Sequence, residues 1–132
     1  MPLTVTSRFP ELIATIQQNA DLAAQHAAEG MVETMKASMK ASMRAPSRRD
    51  AQGKPVSAPG EAPASSGDGE LYESLQSEKI ADGHWAAYSD SQIAAYLEYG
   101  TKHMAPRPFM TPAADEIAPK FFEELKENVF KL

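Results

Sequence analysis

The chain has no cysteine at any of its 132 positions. Disulfide frameworks and thiolate metal sites are therefore excluded, and the lack fits folding in a reducing cytoplasm. A positive excess is missing too: the net charge is −5 and the pI is near 5.2. Such a balance disfavours a dedicated nucleic-acid binder, which needs cations against phosphate. No window approaches the roughly 18 apolar residues that span a bilayer. The opening stretch MPLTVTSRFPELIATI lacks the cationic start and apolar run of a secretory signal. Composition thus points to a soluble, cytoplasmic chain with room for one domain and one modest core.

Catalytic patterns are equally scarce. The three histidines, His26, His84 and His103, stand far apart, and none has metal-ligand spacing with a second histidine or with carboxylates. There is no G-x-S-x-G nucleophile elbow and no phosphate-cradling G-x-x-x-x-G-K-[ST] loop. Glu123, Glu124 and Glu127 alternate with Lys120 and Lys126, the pattern of a solvated helix face with paired charges. We therefore expect no enzyme, no cofactor and no metal.

What is present is a clear change of pattern along the chain. From about Pro10 to Met43, apolar or small residues recur at three-and-four spacing (Leu12, Ile13, Ile16, Ala20, Ala23, Ala24, Ala27, Ala28, Met31, Val32, Met35 and Met39), which predicts one long helix. Ser7, Pro10 and Glu11 suit its start, and Pro46 its end. At about 1.5 Å per residue it is about 50 Å long, more than a domain of this size needs, so an exposed extension or a subunit contact is expected. Residues 45–69 are rich in proline, glycine, serine and alanine. They lack core-building side chains and read as a flexible loop or extended arm, ordered only against neighbours. Next, Leu71 to Ser89 predicts a helical turn and a hairpin closing at Asp82-Gly83, where both central positions favour positive φ. Ser91 to Tyr99 reads equally as a short helix or a strand. Thr111 and Pro112 predict the N-cap and first residue of a closing helix to about Phe130, with Ile117, Phe121, Leu125 and Val129 as its buried stripe. Pro119 within it predicts a kink or a later start. The sum is a single α+β domain, residues 1–132: long N-terminal helix, Pro/Gly/Ser-rich arm, small antiparallel sheet, C-terminal helix.

Two segments invite a functional reading. Residues 35–46 (MKASMKASMRAP) repeat every four, aligning Met31, Met35, Met39 and Met43 beside Lys36, Lys40 and Arg44. Methionines offer an adaptable contact surface, and the cations suit an acidic partner or DNA; the plainer reading is a flexible core face with a solvated basic edge. Met31, Met35, Met39, Lys36, Lys40 and Arg44 are thus candidates for inter-subunit contact, and the stretch Lys36–Arg49 for a DNA-binding module. In the second segment, Tyr96, Glu98, Tyr99, Gly100 and Thr101 are followed by Arg107, Pro108, Phe109, Pro112 and Ala113. Gly100 is expected at positive φ, Tyr96 and Tyr99 at the edge of a core or subunit boundary, and Phe109 as the anchor of the last helix. Arg107, held between Pro106 and Pro108, is placed for a bidentate pair with a carboxylate.

This second segment resembles the signature of a family of small phage morphogenesis proteins, which join an E-[YF]-G-T element to a later R-P-F-[LM]-x-P-A element. Family members often carry S-x-P-G-x-x-P followed by T-G-x-L-x-x-S-[IL]. Ser57 to Pro63 matches the former, and Asp68 to Ser74-Leu75 the latter, with Asp68 where threonine is usual. The resemblance implies a structural virion protein of the neck or tail of a long-tailed phage, assembled in the bacterial cytoplasm. Its role would be tail completion or head–tail joining, with tail terminator or minor tail protein as the alternative. It further implies a homo-oligomeric ring, of six copies, around the DNA conduit. Its neighbours would be the head-closure or connector protein and the tail terminator or tail tube, with genomic DNA passing without sequence-specific binding and no membrane partner.

Overall fold

A computed structural model describes residues 7–44, 48–53, 55–63 and 70–129. Helix α1 spans Phe9–Arg44. Ser7 Oγ accepts the Phe9 N–H at 3.2 Å, satisfying one of the free donors at the helix start. At 36 residues the helix is about 54 Å long, and Pro46, expected to stop it, lies outside the described residues. Strands β1 (Arg48–Arg49) and β2 (Pro55–Val56) form a minimal antiparallel pair. A helical turn, α2 (Glu70–Ser74), leads into the hairpin of β3 (Leu75–Ala81) and β4 (His84–Ser89). Helix α3 (Gln92–Tyr99) and helix α4 (Met110–Glu124) follow, and α4 continues as a π-helical turn at Leu125–Val129. The α+β architecture is the one the sequence pattern predicts.

The core forms where the C-terminal half of α1 meets the rest. Met35 and Met39 are wholly buried there with Leu71, Tyr72, Leu75, Ala94, Phe109 and Ala113. Farther up α1, small residues let α4 pack closely. An added Cβ on Gly30 would lie 3.2 Å from Ile117 Cδ1, so this glycine sets how near α4 approaches. Ile117 is buried and Phe121 and Leu125 are half-buried, while the side chain of Val129 lies outside the description. His26 Nδ1 and Glu124 Oε1 are 2.6 Å apart across the same helix pair.

Three expectations need correction. Residues 55–63 are ordered against this chain's own body, not against a neighbour. Gly60, at φ +85°, donates its N–H to Pro106 O at 2.9 Å, Ser57 and Pro63 are buried, and Ala62 packs on the core. The turn satisfies its backbone groups while its small side chains fill shallow space, so little bulk is needed. Residues 64–69 lie outside the description. At the hairpin only Gly83 takes positive φ (+75°); Asp82 does not, and a register shift between Lys79 and Ala81 supplies the extra twist. Pro119 lies inside α4, so of its two expected effects the later start is the one set aside. Finally, α4 begins at Met110 with Phe109 as N-cap, not at Thr111 and Pro112. Ser91 to Tyr99, undecided from sequence, is helical because Ser91 Oγ caps Ile93 N–H at 3.3 Å.

One acidic side chain fixes the hairpin to α1. Asp21 accepts the Gly83 N–H at 2.8 Å, the Trp85 Nε1–H at 3.2 Å and Lys79 Nζ at 3.3 Å. The Gly83 amide is the chief reason its carboxyl titrates below its ordinary value. Replacing Asp21 with Asn should weaken hydrogen-exchange protection at the hairpin tip and lower the melting temperature. Unchanged protection in β3 and β4 would refute the pinning role. Gly30→Leu should cost about 1–3 kcal/mol by overpacking against Ile117, measured by chemical denaturation.

Candidate functional site

The motif residues form the joint between α3 and α4. Tyr96 and Leu97 O atoms close the end of α3: Gly100 N–H donates to Tyr96 O at 2.8 Å and Arg107 N–H to Leu97 O at 2.6 Å. Gly100 has φ +76°, as its position in the sequence predicts. A Cβ there would fall 2.8 Å from Met104 O and 2.9 Å from Pro106 N, so both backbone conformation and space demand glycine. Thr101 and Met104 then exchange backbone hydrogen bonds at 2.9 and 3.2 Å, turning the chain back toward α3.

Glu98 sits at the centre of this joint. Its Oε2 accepts the N–H groups of Phe109 and Met110 at 2.9 and 3.0 Å, and its Oε1 accepts the Thr111 N–H at 2.9 Å and the Thr111 hydroxyl at 2.6 Å. A helix leaves its first N–H groups without internal partners and carries partial positive charge at that end. Here a carboxylate from the preceding helix meets both needs. That explains the correction to the expected Thr111 cap: Thr111 donates to Glu98, and Phe109, the N-cap residue, has no side-chain acceptor to offer. Burial alone raises the Glu98 carboxyl pKa, but the bonds from Thr111, Met110 and Phe109 outweigh it and hold the group below its ordinary value.

The remaining motif residues divide cleanly. Phe109 and Ala113 are buried, Pro108 is half-buried and Thr101 and Pro112 are exposed. Tyr96 and Tyr99 point away from the core and are exposed. Arg107 forms no ion pair among the described residues, contrary to the expected carboxylate pair. Its Nη1 donates to Ser57 Oγ at 3.5 Å and its buried Nε has no partner among the described residues. The extended Pro106–Pro108 backbone aims it at the 57–63 turn, where the side-chain acceptor it meets among the described residues is the Ser57 hydroxyl.

The methionine stripe also needs correction as a contact surface. Met35 and Met39 have no exposed area and Met31 packs on the same cluster, because α2, β3 and α3 close over that face. Lys36 Nζ and Lys40 Nζ lie 5.0 and 5.3 Å from the centroid of the Tyr72 ring, a cation–π arrangement, while Arg44 is exposed at the helix end. Among the described residues no group of three metal-ligating side chains is found, and no helix is long and apolar enough to cross a membrane. The role of Asp21 and the capping role of Glu98 escape sequence reasoning. Each acts on backbone groups far along the chain, and no residue-type pattern records such a partner.

Glu98→Gln should destabilise the protein by roughly 1–3 kcal/mol, because the amide places donors against donors at the start of α4. Since the folded-state value is depressed, the Glu98 contribution is complete above its ordinary value of 4.5 and is lost as pH falls through the lowered one. Stability measured from pH 7 to 3 should therefore fall less steeply in Glu98→Gln than in the unmodified chain. Gly100→Ala should cost at least about 1 kcal/mol; a neutral result by denaturant titration would show that the turn relaxes freely.

Comparison with family models, with curated proteins and with solved structures returns no match.

Proposed function

We propose that this chain is a structural protein of the virion of a long-tailed phage, a neck protein of the tail-completion or head–tail joining type. Copies form a ring around the DNA conduit, between the head-closure or connector protein and the tail. One observation carries the reading. The motif elements that the sequence resemblance rests on are far apart in the chain yet physically joined. Gly60 of the S-x-P-G-x-x-P element bonds to Pro106 beside the R-P-F-M-T-P-A element, Ser57 bonds to Arg107, and Glu98 of E-Y-G-T caps the helix that R-P-F-M-T-P-A begins. An ordered set of motifs that builds one joint is more than a chance string match.

The charge balance supports the same reading, because an acidic wall repels a passing genome and keeps it from sticking. Lys36 and Lys40 lean over Tyr72, which weighs against Lys36–Arg49 as a DNA-binding module. Phage production from a genome lacking this gene should yield filled heads and tails that stay separate, seen by electron microscopy. Normally joined particles would sink the proposal, and joined particles with tails of irregular length would favour a tail terminator instead.

A further inference from the structure

Helix α1 extends, among the described residues, beyond its hydrogen bonds to the rest of the chain. Among the described residues, its hydrogen bonds to the rest of the chain nearest its start are those of Asn19 to Asn128 O and of Asp21 to the hairpin. From Asn19 back to Phe9 the helix extends roughly 15 Å, and within that stretch Ala14, Gln17 and Gln18 still border a shallow pocket shared with Lys79 and Asp82 of the hairpin. Its apolar face does not stop with those contacts. At 3.6 residues per turn, Phe9, Ile13, Ala20 and Ala27 fall within about 40° of one another, so the inward-facing stripe continues along the overhang. There Phe9 is 71% exposed and Ile13 53%.

A second exposed apolar face lies at the other end. Helix α3 turns Ala94 and Leu97 toward the cluster around Met35 and Met39, leaving Ile93, Tyr96 and Tyr99 outside. Tyr99 is 80% exposed. Phe9 and Met35 are about 40 Å apart along α1, so the two faces cannot cover each other within one chain.

We propose that the partner of each face is a second copy of this chain, joined head to tail, with the overhang of α1 seated on α3 of the next copy. The two surfaces differ in shape, a narrow helix end against a short aromatic face, which favours a heterologous contact over a two-fold one. Their charges suit each other: exposed Arg8 and Glu11 flank the overhang, and exposed Asp90 and Lys102 flank α3, so each side offers one charge of each sign. Each aromatic brings on the order of 100–200 Å² of uncovered area. That is enough for the apolar centre of a contact approaching the roughly 800 Å² per partner of stable interfaces. The contact repeats from copy to copy; only its closure into a ring rests on the function proposed above.

Two double variants of the full chain test this by sedimentation: Phe9→Asp with Ile13→Asp, and Tyr96→Asp with Tyr99→Asp. The unmodified chain should form species larger than a dimer as concentration rises, and each variant alone should be monomeric. An equal mixture should double in mass and grow no further, because one intact face survives on each variant. A monomeric unmodified chain, a variant that self-associates or a mixture that stays monomeric would overturn the proposal. Circular dichroism checks folding, and serine replacements at the same positions serve if an aspartate variant unfolds. Because the chain has no cysteine, Ile13→Cys and Tyr99→Cys provide an independent readout. Disulfide-linked dimers should form in the mixture and with neither variant alone, whereas self-linking of Ile13→Cys would indicate a two-fold contact. Particle phenotype after gene deletion is read separately, so failure of this contact and failure of the virion role are distinguishable.

Discussion

The carboxylate of Glu98 at the start of α4 is the interaction on which the rest of the domain depends. It joins two helices through four hydrogen bonds and fixes where α4 begins. That start places Phe109 and Ala113 against the Met35–Met39 cluster and, two turns later, Ile117 against Gly30. A helix that started one residue later would rotate its buried face by about 100° and present Pro112 or Ala114 to the core in place of Ala113. The cap is therefore also a register device. Gly100 permits it, because the chain must reverse between Tyr99 and Arg107 within a few residues to bring the α4 amides back to α3.

Helix α1 is the second organising element, and its two halves do different work. The C-terminal half supplies the large buried side chains, Met35 and Met39, that hold α2, α3 and the hairpin together. The middle is narrow, which lets α4 lie close, and a single carboxylate at Asp21 anchors the hairpin tip through two N–H groups and an ammonium. Among the described residues, the N-terminal turns add nothing comparable to this core. A long stiff element that exceeds its own domain is suited to act on something outside it, which is why the exposed residues at its tip carry meaning.

The motif residues between Tyr96 and Ala113 thus have a physical interpretation. Their most deeply buried members build the α3–α4 joint, and their exposed tyrosines face outward from the same short helix. Positioning and presentation are combined: Glu98, Gly100 and Phe109 hold α3 rigidly, and Tyr96 and Tyr99 ride on it. A surface carried by a helix locked at its C-terminal end loses little freedom when a partner covers it.

Local rules were enough to determine a good deal of this from sequence. Three-and-four spacing marked α1 and the Ile117 face of α4, Asp82-Gly83 marked the hairpin, and the Tyr99–Thr101 stretch required a glycine of positive φ. Each depends on neighbours within a turn or two, which a sequence displays directly. Tertiary structure alone decided what depends on distant groups. The methionine stripe became core because α2, β3 and α3 cover it, and residues 55–63 found order through Pro106 and the core. Among the described residues, Arg107 met a hydroxyl instead of a carboxylate. The cap of α4 came from Glu98, eleven residues before Phe109, because a helix N-terminus accepts an anion from any direction and the sequence does not say which one will arrive.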